Sequence, residues 1–445
     1  MNGRILFWSV TASLAGFLFG FDTVVISGAE QTIESLWHLK PEIHGLALAS
    51  ALYGTVLGAI FGGWPTNWFG RKPMLLAVGL LFVISALGCG FAWDVWSFIA
   101  FRFVGGIGIG TATVAAPLYI AEIAPPKHRG FLAGMFQFNI VFGIIMAYLS
   151  NFLLQGIGEN AWRWMLGVAA LPSIVYAVMC LGIPESPRWL LSRRRDRSAG
   201  IAVLRLIEPD APLPKVEAEA DALLANSETK LETGGFWTWR LHRPILLAFL
   251  VAFFNQMSGV NAILYFAPRI FQLTGLGAQT ALLRSVGIGV TNLIFTFVGL
   301  WLIDRLGRRT LLLLGSFGYI LSLGLTSWAF FTEHYAIVPA CIFGFIAAHA
   351  IGQGTVIWVL ISEVFPDRYR AAGNTLGCGT HWVMAALITT AFPVAVSSVP
   401  AGWIFLFFCA MMVLHLLWVI TMVPETKGVP LEEIERLLAT EDASR

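Results

Sequence analysis

The sequence predicts an all-α integral membrane protein in which twelve membrane-spanning helices form two six-helix halves. Three observations carry this expectation. Hydrophobic residues make up 57% of the chain and charged residues only 12%, whereas a soluble protein carries roughly 25% charged residues. At about 20 residues per span, the apolar share of 445 residues is enough for about twelve helices. The third observation is an internal repeat. Gly62–Lys72 (GGWPTNWFGRK) resembles Gly299–Arg309 (GLWLIDRLGRR), and Glu122–Arg129 (EIAPPKHR) resembles Glu363–Arg370 (EVFPDRYR). Pro184-Glu185 resembles Pro424-Glu425, and Gly20-Phe21-Asp22 matches Gly259-Val260-Asn261. All four pairs share an offset of 237 to 241 residues. With six helices in each half, both halves run in the same sense. Such a parallel repeat places a substrate site at mid-membrane between them.

Apolar runs and their breakers predict helices over 5–28, 45–69, 73–92, 94–121, 130–154 and 162–183, then over 242–271, 279–304, 310–331, 335–363, 370–395 and 401–422. The resulting organisation is an N-terminal half over 1–184, a helical linker over 185–240, a C-terminal half over 241–423 and a tail over 424–445. In the linker, Val203, Leu204 and Leu206, then Val216, Leu223 and Leu224, recur at roughly helical spacing and suggest short amphipathic helices under the membrane. The other reading of this segment is a flexible linker.

Basic residues fall in alternate connections: Arg71 and Lys72; Lys127, His128 and Arg129; Arg188 with Arg193–Arg195; Arg305, Arg308 and Arg309; Arg368 and Arg370. The intervening connections are poor in base. By the positive-inside rule the basic set is cytoplasmic, which puts both termini inside. Cys89, Cys180, Cys341, Cys378 and Cys409 lie in apolar runs without paired or metal-type spacing, so they read as packing residues. The first apolar run is too long for a signal-peptide core and reads as the first helix.

Within that first run, GFLFGFDTVVISG (16–28) holds one charge, Asp22. A carboxylate at that depth costs about 2.5–3.5 kcal/mol on insertion scales, so it normally faces a partner or a wet cavity. The competing reading is a protonated carboxyl or a cap at a break near Gly20. Arg102 is the second such charge, about 12 Å along its helix from Asp94. The two G-x(8)-R-[KR] turns supply cations that suit helix C-termini and neighbouring carboxylates. They suggest a cytoplasmic charge network of Arg71, Glu122, Arg129, Glu185, Arg305, Arg309, Glu363, Arg370 and Glu425 that locks the halves together. The competing reading is plain positive-inside anchoring.

These motifs resemble the sugar porter family of the major facilitator superfamily, which includes animal facilitative glucose transporters and bacterial proton–sugar symporters. The strings that carry the resemblance are GFLFGFDTVVISG, RFVGGIGIG with PLYIAEIAPPKHRG, PESPRWL (184–190), QMSGVNAILYFAP (256–268), DRLGRR (304–309) and PETKG, and they extend over residues 5–430. The resemblance implies a sugar site of Gln137 with Ile140 and Ile144, Asn255, Gln256, Asn261, Tyr265, Asn292, Gly354, Trp358, His381 and Trp382. Amides both donate and accept, as sugar hydroxyls do, and Trp packs the C–H face of the ring. Each amide alone could equally join helices. His381 reads as a neutral hydrogen-bonding residue, or alternatively as one that titrates near neutrality. In proton-coupled members an Asp on the first helix pairs with an Arg on the fourth; Asp22 and Arg102 stand at those positions, where facilitative members carry Asn for Asp22. Ser258-Gly259, Gly352 and Gly354 mark places where helices seven and ten can break and gate.

The chain departs from the family pattern at several points. Asn67 and Trp68 replace Asp and Arg in the first basic turn, which weakens that lock. Thr355 replaces Pro, which puts a kink there in doubt, and Asn255 replaces Gln. The expected function is proton-coupled hexose or pentose symport by alternating access, with no cofactor beyond the coupling proton. The expected partners are a monosaccharide and membrane lipid, with no nucleic acid, for a monomer in the bacterial inner membrane. Two alternatives are a facilitative uniporter with a structural Asp22, and a transport-deficient sugar sensor. The strongly polar groups form no nucleophile–base pair and no metal cluster, so no enzyme is expected.

Overall fold

The computed structural model describes residues 3–125, 128–226, 235–366, 368–429 and 434, without the side chains of Arg129, Asn226 and Arg240. Among the described residues, twelve helices are long and apolar enough to cross a membrane. They are α1 (Gly3–Gly28), α2 (Pro41–Phe61), α3 (Arg71–Gly90), α4 (Val95–Ile123), α5 (Gly130–Leu154) and α6 (Ala161–Leu181), followed by α7 (His242–Tyr265), α8 (Ala278–Leu306), α9 (Arg308–Phe331), α10 (Tyr335–Val364), α11 (Arg370–Ser398) and α12 (Ala401–Met422). The described residues contain no strand. In hydrocarbon every backbone N–H and C=O must be satisfied within the protein, which a helix does by itself. Large apolar side chains such as Phe91, Leu171, Phe317 and Leu321 stay exposed, as a lipid solvent allows.

The helices match the predicted runs closely, with two instructive differences. The second run, predicted to 69, ends at Phe61; a separate short helix covers Gly63–Phe69. The seventh run, predicted over 242–271 with a break expected at Ser258-Gly259, divides there and again at Phe266, into His242–Met257, Val260–Tyr265 and Ala267–Leu273. Hydropathy continues across both places, but the helix is interrupted at Gly62, which keeps a helical φ of −61°, and at Gly259, which turns to φ +83°.

Two compact units emerge. The first comprises residues 1–25, 50–147 and 159–233, and the second comprises residues 26–49, 148–158 and 234–445. Within the first, glycines let α2 meet α4 backbone to backbone. A Cβ on Gly54 would overlap the Phe103 carbonyl, and one on Gly58 would overlap that of Ile107. In lipid no hydrophobic effect drives helices together, so such close approach is a main source of association. Asp94 starts α4 with a reciprocal cap: Ser97 N donates to Asp94 Oδ1 at 2.8 Å, and Asp94 N donates to Ser97 Oγ at 3.2 Å. The Ser97 N–H donated to the carboxylate holds the Asp94 carboxyl below its ordinary range.

The linker does form short helices, Pro187–Ser192, Arg197–Ile207 and Leu213–Asn226. Leu191, Leu204, Val216 and Ala220 make their shared core, with Leu223 and Leu224 packed on it. Ser186 and Asp196 cap the first two by accepting from Trp189 N and Ala199 N. Part of the predicted linker, 227–234, lies outside the described residues. All five cysteines are free thiols.

Candidate functional site

In the first unit, Asp22 and Arg102 meet. Arg102 Nη1 donates to Asp22 Oδ2 at 2.8 Å and to the Asp22 carbonyl at 3.3 Å. Asp22 is 7% exposed and Arg102 1%. The two charges that the sequence left stranded in apolar runs therefore neutralise each other. Charged hydrogen bonds of this kind are about twice as strong as neutral ones. On α5, Gln137 and Ile140 are half-buried and Ile144 is buried. Asn139 on the same helix donates to Ser13 Oγ at 3.1 Å and ties α5 to α1.

The basic turns build two matching networks, one in each unit. Gly70 (φ +106°) and Gly307 (φ +93°) lead into α3 and α9 with positive φ, where only glycine is unstrained. The next residue is the anchor in each case. Arg71 Nε and Nη2 grip Glu122 at 2.9 and 2.8 Å; Arg308 Nε and Nη2 grip Glu363 at 3.1 and 2.8 Å. Glu185 accepts from the backbone N–H groups of Arg71 and Lys72, and Glu425 accepts from those of Arg308 and Arg309. Burial pushes the Glu185 carboxyl up, and these backbone donors oppose the shift.

Two predicted members contribute otherwise than as the pairing cation. Arg305 does not reach Glu363; its guanidinium stacks over Trp301 at 4.0 Å. Arg309 contributes its backbone N–H to Glu425, while its Nη2 donates to the Ile420 carbonyl at 2.7 Å. The pairing cation is Arg308, because the residue immediately after the positive-φ glycine is the one that points at the acid. Arg370 Nε donates to the Ser362 carbonyl at 2.9 Å. The Arg129 side chain lies outside the described residues. Each network joins helices of a single unit. Where the second unit has Asp304, 3.1 Å from Arg308, the first has Asn67. Asp304 is 81% exposed, so its loss matters little beside the buried bidentate pair.

The second unit assembles an amide chain where α7 breaks. Gly259 (φ +83°) ends the first segment, and Ser258 Oγ donates to the Asn255 carbonyl at 2.6 Å. Gln256 Nε2 donates to Asn255 Oδ1 at 2.9 Å, and Asn261 Nδ2 donates to Gln256 Oε1 at 2.6 Å. Gln256 Nε2 also lies 3.2 Å from the ring of His381 on α11. Trp358 and Trp382 flank that imidazole, with centroids at 5.2 and 4.8 Å. Tyr265 is buried beyond the break. Asn292 accepts from Thr296 Oγ1 of its own helix at 3.4 Å and, among the described residues, has no hydrogen bond to the amide chain. α10 breaks at Gly352, although Thr355 stands where Pro was expected; Thr355 Oγ1 donates to the Ala350 carbonyl across the break at 2.6 Å.

The family profile for "Sugar (and other) transporter" matches residues 8–438. The chain belongs to the sugar transporter family. An arabinose–proton symporter of Bacillus subtilis is 33% identical, over 98% of this chain and 95% of that one. A D-xylose–proton symporter of Escherichia coli is 31% identical, over 96% and 94%. The solved inward-open conformation of the E. coli xylose transporter XylE has a TM-score of 0.86 at 29% identity, covering 97% of this chain and 99% of that chain. The fold is accordingly that of the major facilitator superfamily, and the chain is a multi-pass membrane protein and a transporter rather than an enzyme.

For a sugar transporter, three more polar residues stand beside the amide chain that sequence reading passed over. Tyr319 Oη lies 2.6 Å from His349 Nδ1 and 3.4 Å from Gln353 Oε1. Gln353 is fully buried next to Gly354, and a Cβ on Gly354 would press on His349. The available signal was His349 and Gln353, two polar side chains in an apolar run beside the predicted α10 break; Tyr319 lies in the ninth run.

Proposed function

We propose that this transporter moves a monosaccharide together with a proton by alternating access. The observation that carries the proposal is the Asp22–Arg102 pair. A carrier that only equilibrated sugar would have no use for a titratable carboxylate there, at a cost of about 2.5–3.5 kcal/mol. Protonation of Asp22 removes one charge of the pair and frees α1 from α4. Deprotonation restores the contact, so the proton can bias the conformational equilibrium. The similarity to arabinose– and xylose–proton symporters supports this reading.

Asn255, Gln256 and Asn261 supply donors and acceptors for hydroxyls, and Trp358, 38% exposed, supplies an apolar face for the ring. The breaks at Gly259 and Gly352 let parts of α7 and α10 move as gates. The proton is the coupling ion, and no other cofactor is required. The basic connections favour cytoplasmic termini, and the bacterial relatives favour an inner-membrane location. The protein acts as a monomer surrounded by lipid.

The test is uptake into proteoliposomes with an imposed, inside-negative proton-motive force. A panel of labelled pentoses and hexoses should reveal at least one that accumulates above its external concentration. Equilibration without accumulation for every transported sugar would favour a uniporter. Binding without transport would favour a sensor.

A further inference from the structure

Around residue 30 a second set of charges lies apart from the Asp22 pair. His44, in the first turn of α2, is fully buried, as is Glu30 on the short helix Glu30–Leu36. His44 Nε2 is 3.2 Å from Glu30 Oε2, and Nδ1 is 3.5 Å from Glu34 Oε1. Neither approach is aligned as a hydrogen bond, and neither ring nitrogen has another hydrogen-bond partner among the described residues. Arg269, on Ala267–Leu273, holds the other carboxylate oxygens: its Nε donates to Glu30 Oε1 at 3.0 Å and its Nη2 to Glu34 Oε2. The edge of Phe266 closes over the imidazole at 6.4 Å. Lys40 and Glu42, on either side of Pro41 at the start of α2, are exposed.

We propose that His44 is a second proton-binding site, and that its protonation stabilises closure of the transporter at this end. Two carboxylates share one guanidinium, so with a neutral imidazole the buried cluster carries a net negative charge. A neutral ring can donate to only one carboxylate and turns its lone pair toward the other. An imidazolium donates to both and balances the charge, and an unbalanced buried charge is strongly unfavourable. Once the end opens, water screens the imbalance. The proton therefore favours the closed arrangement.

The surrounding contacts are close. Phe266 packs on Phe392 at 4.6 Å, Tyr148 Oη donates to the Leu264 carbonyl at 2.7 Å, and a Cβ on Gly45 would overlap the Thr390 carbonyl. The cluster also joins the two functional stretches of chain. Glu30 follows Asp22 by eight residues, and Arg269 follows Asn261 by eight. By the positive-inside reading this end is external, so external acidity would favour closure there.

The inference rests on alternating access but not on proton coupling at Asp22, and a distance measurement separates the two. Spin labels are placed at Leu36 and Val399, both exposed, in a chain whose native cysteines are replaced and which carries Asp22→Asn. Electron–electron resonance distances in nanodiscs are followed from about pH 8 to about pH 5.5. The closed-distance population should grow as pH falls. His44→Gln should abolish that dependence, and Glu34→Gln should move the transition toward acid. Should His44→Gln not fold, Glu34→Gln, at the partly exposed edge of the cluster, carries the same test. A pH profile unchanged by either variant, no pH response in the parent, or opening on acidification would overturn the proposal. Failure of Asp22-dependent accumulation would sink proton coupling and leave this measurement unaffected.

Discussion

Asp22→Asn tests the coupling reading most directly. The substitution keeps shape and an oxygen acceptor but removes the charge opposite Arg102, 2.8 Å away. Two unit charges about 4 Å apart attract by roughly 4 kcal/mol at the effective dielectric of protein sites. The amide oxygen and the Asp22 carbonyl, already 3.3 Å from Arg102 Nη1, can return about 1.5–3 kcal/mol as charged hydrogen bonds. The net loss is then about 2 kcal/mol, which the fold can survive. The functional effect should be far larger. One proton crossing about 100 mV supplies about 2.3 kcal/mol, and 1.4 kcal/mol is a factor of ten. One-to-one symport should therefore concentrate sugar roughly 50-fold. In proteoliposomes Asp22→Asn should retain counterflow of labelled sugar but hold it at its external concentration. Accumulation by the variant equal to that of the parent would refute the assignment of coupling to Asp22.

Arg308→Ala should destabilise the detergent-solubilised protein by about 3 kcal/mol, because it strands Glu363 in a largely buried site. Arg305→Ala should cost no more than about 1 kcal/mol, the value of an exposed cation–π contact; equal losses in thermal melts would contradict the assignment. Gln256→Ala removes a side chain bonded to Asn255, Asn261 and His381, and should raise the sugar KM about tenfold, the effect of about 1.4 kcal/mol. An unchanged KM would place the sugar elsewhere. Asp94→Ala should lower thermal stability at neutral pH. Because the folded state holds the Asp94 carboxyl below its ordinary range, its stabilisation is full above that range and is lost as pH falls through it. The gap between parent and variant should therefore narrow on acidification; a gap that widens would mean that the cap is not the cause.

The residues behind the Asp22 prediction are legible in the sequence. Asp22 and Arg102 stand out because a charge in an apolar run is expensive wherever the run lies in the membrane. The family resemblance implies their pairing, and the geometry gives it a distance. The residue behind the Arg308 prediction is not legible in the same way. Arg305, Arg308 and Arg309 are equivalent in a count of charges, and the repeat offset alone could have favoured Arg308 by matching it to Arg71. What selects Arg308 is the positive φ of Gly307, which aims the next side chain at Glu363.

The family resemblance alone implied the sugar-type amide set; the sequence by itself determined the twelve helices, their division by a repeat and two charges in apolar runs. These features follow from one-dimensional quantities: the length of an apolar run, the spacing of a motif and the transfer cost of a charge. Only the tertiary structure decided which polar groups meet. His44 and Arg269 join Glu30 and Glu34 in one cluster, and Tyr319 joins His349 and Gln353 in another, across sequence separations that no local pattern spans. The physical reason is that ion pairs and hydrogen bonds depend on distances of about 3 Å. Helix crossing at glycines and breaks at Gly259 and Gly352 set those distances, whereas hydropathy sets only which segments enter the membrane.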